Sequence, residues 1–267
     1  MADELRLQIV DRLVEMAEST VDLDFSAVFN IALGDATAAV RQKAVLGLWE
    51  SEERSLISVY IGLLRSDPSE DVRGAAALAL GNFAALAEDG KLLPKDYQRI
   101  KGSLVDAIND TEQPIGVRRR ALEAVGAMSD DDVVHLIWWA YAQPEEEFRR
   151  SAVFAMARNA SPHWLTTILK ELESDDPAMR YESACACGEL SDEDAVSYLL
   201  PLLQDDDDQV ALATIAALGN IGGSAARSAL NECANSEDGG EAIVEAATAA
   251  LAALDTSNEP VSFKNRL

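Results

Sequence analysis

A chain of 267 residues that is 48% hydrophobic but only 6% aromatic has ample material for a core, one built mainly of alanine and leucine, and this favours helix over strand. Its 47 acidic residues against 22 basic ones leave a net charge of -25, a field that repels phosphate backbones and anionic lipid and so argues against nucleic-acid and membrane-surface binding. The same field favours cationic partners or serves solubility alone, and composition does not separate the two.

In chain order, the opening "MADELRLQIVDRLVEM" is charged every few residues and has no apolar run long enough for a signal peptide or a membrane span, so the expected location is cytoplasmic. Helices are predicted near Asp3 to Met16 and Phe25 to Leu33, a divergent pair over residues 1–34 that covers one open end. From Val40 a phrase begins that then recurs: "VRQKAVLGL", "VRGAAALALG", "VRRRALEAVG", "FRRSAVFAMA", "MRYESACACG" and "VALATIAALG". Its second position falls at Arg41, Arg73, Arg118, Arg149, Arg180 and Ala211, in steps of 32, 45, 31, 31 and 31 residues.

Small or apolar residues stand one before and three, four and seven after that position, which is one face of a helix. Val72, Ala76, Ala77 and Leu80 align in this way with Val117, Ala121, Leu122 and Val125. Each phrase is followed by a second apolar run of the same period, such as "SLISVYIGLL", "HWLTTILKEL" and "AVSYLLPLL". Loops such as "SDPSED", "SDDPAM" and "QDDDDQ" supply helix N-cap and first-turn chemistry. The predicted unit is helix, turn, helix, turn, with six repeats over residues 35–238. The 45-residue step places an insertion near Glu88 to Tyr97, an added loop that is a candidate contact or a neutral insertion. A C-terminal helix over 239–255 caps the array, making 1–255 a single domain, and 256–267 is expected to be a flexible tail.

The phrase "DPSEDVRGAAALALGNF" and its copies resemble the HEAT repeat family, in the short-repeat variety of phycobilisome-lyase-like proteins, over roughly residues 35 to 255. The resemblance implies an all-α solenoid of stacked antiparallel helix pairs, HEAT or armadillo-like, whose second helices line a concave groove.

The recurring arginine suggests a structural ladder. Asp35, Asp67 and Glu112 stand six residues before Arg41, Arg73 and Arg118, with Asp175 displaced by one before Arg180. An acid in each inter-repeat loop facing the arginine of the following helix would stitch repeats together, with Gln143 before Arg149 and Ala211 after Asp205 as gaps. Arg118 to Arg120 with Arg149, Arg150 and Arg158 concentrate positive charge. This cluster either contacts an anion or pairs with Glu145 to Glu147.

Catalytic, cofactor and metal sites are expected to be absent. His135 is followed by Leu136 and His163 by Trp164, so the repeated His-Glu pairs of a di-iron enzyme on this fold, deoxyhypusine hydroxylase, are missing. Cys187 falls in the apolar column of Leu80, Val125 and Leu218 and reads as a buried small hydrophobe, and Cys185 and Cys233 as thiols in a reducing compartment. A DNA glycosylase on such repeats would need a basic surface that this chain lacks.

Counting back from each repeat arginine, Trp138 shares a column with Leu169 and Leu200 and is expected in the core. Trp139 aligns with Lys170, and His135 with Thr166, on an exposed face. Those four residues are the candidate protein contact, partial burial under a neighbouring repeat being the other reading. The expected function is that of a non-enzymatic scaffold binding another protein with a basic segment, and the second reading a bilin-lyase-like accessory handling a chromophore or its carrier.

Overall fold

The apolar columns of the repeat become the faces on which helices pack. The computed structural model describes residues 2–19, 23–159, 161–236 and 240–258, and these contain helices and turns with no strand among them. The expected tail beyond Asn258 lies outside the described residues. The chain divides into two compact units, Met1–Ala155 and Met156–Leu267. Each is a stack of helix pairs of the α-solenoid class.

The first unit runs through α1 (Asp3–Ser19), α2 (Ser26–Ala32), α3 (Ala38–Gly47), α4 (Leu56–Ser66), α5 (Glu70–Glu88), α6 (Pro94–Asn109), α7 (Ile115–Val125) and α8 (Asp131–Tyr141), and enters α9 (Glu146–Asn159). The helices bearing the repeated phrase form one layer, α3 on α5 and α5 on α7, and α1 extends it by packing on α3. The second helices lie beside them, α2 on α3, α4 on α5 and α6, and α6 on α7. The alanine-rich composition has its reason here. Val72, Ala76, Leu80, Val117, Ala121 and Val125 are buried, and where α5 meets α7 a Cβ on Gly81 would lie 3.1 Å from Ala124 Cα, so small residues let the backbones approach closely. A Cβ on Gly126 would lie 2.8 Å from Ala155 Cα, so the glycine in that column is required by contact.

Half of the stretch expected as an added loop is helix, Glu88 closing α5 and Pro94 to Tyr97 opening α6, with a five-residue turn over 89–93 between them. The run "AALAE" extends α5 to Glu88, which ends in a Schellman motif: Gly90 adopts φ 72°, its N–H donates to Ala87 O at 3.1 Å, and Lys91 N–H donates to Leu86 O at 2.9 Å. Pro94 then starts α6 from its first turn. The insertion is anchored by its own polar residues. Buried Asp96 pairs with Arg54, Tyr97 Oη donates to Asp130 at 2.6 Å, and Ser129 Oγ donates to Glu88.

The second unit holds α10 (Leu165–Glu171), α11 (Pro177–Leu190), α12 (Val196–Leu199) with a 3-10 turn to Gln204, α13 (Asp208–Ile221), α14 (Gly223–Ala234) and α15 (Glu241–Asn258). Here α11 packs on α13, α13 on α15, and α14 against both α13 and α15. The acidic loops cap these helices, as Asp176 accepts from Ala178 N at 3.0 Å and Asp207 from Gln209 N at 2.8 Å. Among the described residues no helix is long and apolar enough to cross a membrane.

Candidate functional site

Two of the recurring arginines, Arg41 and Arg180, make the same set of bonds, and the carboxylates of Asp35 and Asp67 serve a different arginine from the one their spacing suggests. Arg41 Nη1 donates to the carbonyls of Asp35 and Ala36 at 2.8 and 3.1 Å, in the loop before its own helix. Its Nε and Nη2 donate to the Asp67 carboxylate at 2.8 and 2.7 Å. Arg180 repeats the pattern with Ser174 O at 2.8 Å and the Asp205 carboxylate at 2.7 Å twice. An aspartate six residues before an arginine therefore gives that arginine its carbonyl, while its carboxylate reaches back to the preceding repeat. Asp35 in this way takes Arg6 at 2.7 and 3.0 Å. Each carboxylate is aimed by the backbone amide two residues on: Thr37, Ser69 and Asp207 donate to Asp35, Asp67 and Asp205 at 2.8, 2.9 and 2.9 Å.

Where that aspartate is replaced, the arginine turns elsewhere. Glu112 does not take Arg73, whose Nε donates to Gln113 Oε1 at 3.0 Å. The longer connection moves the aimed carboxylate back to Asp110, which accepts from Glu112 N at 3.0 Å. Arg118 Nε donates to Ile108 O at 2.9 Å, and its guanidinium lies over the Phe148 ring at 5.2 Å. Arg149 lies over the Tyr141 ring at 5.7 Å. The repeat phrase does not extend to Arg6, although "LRLQIV" holds it in the same column as Arg41.

The two stacked rings lead to α8. Its buried side is Val133, Ile137 and Ala140, and its exposed side carries His135, Trp138 and Trp139. Trp138 is not core. It is 39% exposed, beside Trp139 at 40%, because the buried column is one residue earlier: Ile137, Ile168 and Leu199 are fully buried. Trp138 meets Tyr141 edge-on at 6.1 Å and Trp139 meets Phe148 edge-on at 5.8 Å. Gln143, standing where other repeats have aspartate, donates to Trp139 O at 2.8 Å. Thr166 and Lys170 are exposed on α10, so the four candidate residues are shared between the two units, His135 and Trp139 in the first and Thr166 and Lys170 in the second.

The arginine cluster of α7 is spent within the first unit. Arg119 donates to Ser151 Oγ and Glu147 at 2.9 Å each, Arg120 to Glu123 at 2.7 Å, and Ser151 Oγ to Glu123 at 2.6 Å. Cys187 is buried and its thiol is pushed up to about 12 by that burial, so it is no thiolate nucleophile at neutral pH. Burial raises Cys185 and Cys233 as well. Among the described residues no group of three or more His, Cys, Asp or Glu is placed to hold a metal ion, and the two histidines do not supply the donors of a di-iron centre.

The profile of HEAT repeats matches residues 25–93 and 133–216, more than half of the chain. The chain belongs to the HEAT repeat family. The match is to the general repeat and does not single out the phycobilisome-lyase-like variety. Among solved structures, the X-ray structure of YibA of E. coli covers 96% of this HEAT protein and 90% of its own chain at TM-score 0.54 and 17% identity, a likeness of fold. Human deoxyhypusine hydroxylase in complex with glycerol aligns over 95% of this chain and 98% of its own at 19% identity, with a TM-score of 0.37, too loose a superposition to carry meaning.

A curated relative, deoxyhypusine hydroxylase of Eremothecium gossypii, is 24% identical over 166 residues, 55% of this HEAT protein and 51% of the relative. The chain thus spans about half the length of the curated relative it matches. That relative is an enzyme, and the match overturns the expectation of a non-enzymatic scaffold and, with it, that of a bilin-handling accessory.

Proposed function

We propose that this HEAT-repeat protein is an enzyme acting on a lysine-derived cationic side chain of a protein, the substrate class named in its relative, deoxyhypusine hydroxylase. The observation that carries the reading is the 166-residue alignment with that enzyme. Deoxyhypusine is a lysine extended by an amine-bearing arm, so it presents positive charge. A surface with a net charge of -25 attracts such a group and speeds its encounter. Because the donors of a di-iron centre do not fit, the chain's own residues supply binding and orientation of the substrate: exposed carboxylates draw the ammonium in, and aromatic faces fix the arm.

The test uses the full-length protein and a protein substrate carrying deoxyhypusine, with the same substrate carrying unmodified lysine as reference. The expected result is saturable binding that prefers the deoxyhypusine form and weakens as salt rises. Intact-mass measurement of the substrate after incubation, with and without ferrous iron, identifies the modification. Equal affinity for the two forms together with an unchanged substrate mass overturns the reading.

A further inference from the structure

We propose that the face of α8 formed by Trp138 and Trp139 is the seat of the cationic arm, holding an alkylammonium of the lysine type. This rests on the substrate reading above and places it on the molecule. Two adjacent indoles, 39% and 40% exposed, stand on a helix whose other side is core. Each is braced from behind in the same way. Trp139 packs on Phe148, whose ring carries the Arg118 guanidinium, and Trp138 packs on Tyr141, whose ring carries that of Arg149. These are the repeat arginines whose following loops offer Gln143 and Ser174 in the column that elsewhere holds Asp35, Asp67 and Asp205.

Charge selects the occupant. No lysine or arginine occurs between Arg120 and Arg149; Asp132 on the first turn of α8 pairs with Lys101 at 2.8 Å, while Asp131 beside it and Glu145 and Glu146 beyond the end of the helix stand exposed. The indoles sit in the last turns of α8, where the helix dipole presents its negative end. An apolar partner would cover the rings but gain nothing from the exposed Glu145 and Glu146 just beyond the helix end, whereas an ammonium on a methylene stem suits the ring faces and is drawn by the local negative charge.

The experiment follows the indole N–H signals of the full-length protein by NMR while a peptide with one deoxyhypusine among neutral residues is added, against the same peptide with acetyl-lysine. The expected result is that Trp138 and Trp139 shift with the first peptide and stay still with the second. The Trp138→Ala/Trp139→Ala variant should then bind the deoxyhypusine protein about tenfold more weakly with unchanged helicity, while Trp139→Phe retains part of the affinity. Shifts confined to Trp49 or Trp164 overturn the proposal, as does unchanged binding by the double variant. In both cases the intact protein still prefers the deoxyhypusine form, so the substrate reading stands. An intact protein that shows no such preference removes both.

Discussion

Arg41 and Asp67, 26 residues apart, share two hydrogen bonds of 2.8 and 2.7 Å from guanidinium to carboxylate, and both side chains are nearly buried. Such a pair specifies how one repeat sits on the next. Removing one partner leaves the other charge out of water and unbalanced, so Asp67→Ala should destabilise the protein by about 3 kcal/mol. Urea unfolding measures this. A loss equal to that of an exposed pair, under ~1 kcal/mol, would show that the pair carries little of the repeat contact.

The same bonds set a pH dependence. The Arg6 guanidinium holds the Asp35 carboxyl below the usual carboxylate range, and Arg180 does the same for Asp205. A group whose folded pKa lies below its unfolded value stabilises fully above the unfolded value, about 3.9 for aspartate, and that stability is lost as pH falls through the folded one. The urea midpoint should be level down to about pH 5 and drop below about pH 4. Asp205→Asn should lower the plateau and make the acid drop shallower.

Tyr60 is buried beside Phe83, and its hydroxyl finds no hydrogen-bond partner among the described residues. Burial pushes this phenol above its ordinary range. Tyr60→Phe keeps the packing and removes an unsatisfied polar atom, so it should raise stability by about 1 kcal/mol. A fall in melting temperature would mean that the hydroxyl is satisfied in solution.

Gly188 lies inside α11, where an added Cβ would come within 2.9 Å of Ala217 Cα on α13. Alanine is the better helix former by about 1 kcal/mol, yet here the close approach decides. Gly188→Ala should destabilise by roughly 1–3 kcal/mol, read by chemical unfolding, because backbone must move to admit the methyl. In contrast, Gly102→Ala on α6 meets nothing within 4 Å and should stabilise.

Thiol reactivity should follow burial. At pH 8, Cys187 should resist an aromatic disulfide reagent until the protein unfolds, since burial pushes its thiol to about 12. Cys185 and Cys233, half-buried with raised thiols, should react slowly in the folded state. Immediate labelling of all three cysteines would contradict this packing.

The spacing of apolar residues around 3.6 sets the angular position of each side chain on its helix. This is why the helices, their pairing and the buried columns of Val72, Leu80, Val125 and Leu218 are legible in the amino-acid sequence alone. Periodicity does not encode how far one helix pair is displaced against the next. Only the tertiary structure decided that the Asp67 carboxylate belongs to Arg41 and not to Arg73, because an aspartate aimed by the amide of Ser69 points back across the repeat boundary. It likewise decided that Trp138 is a surface residue. One position along a helix is a rotation of about 100°, and whether that direction meets a neighbour or water depends on the neighbour's placement, which no residue in α8 specifies.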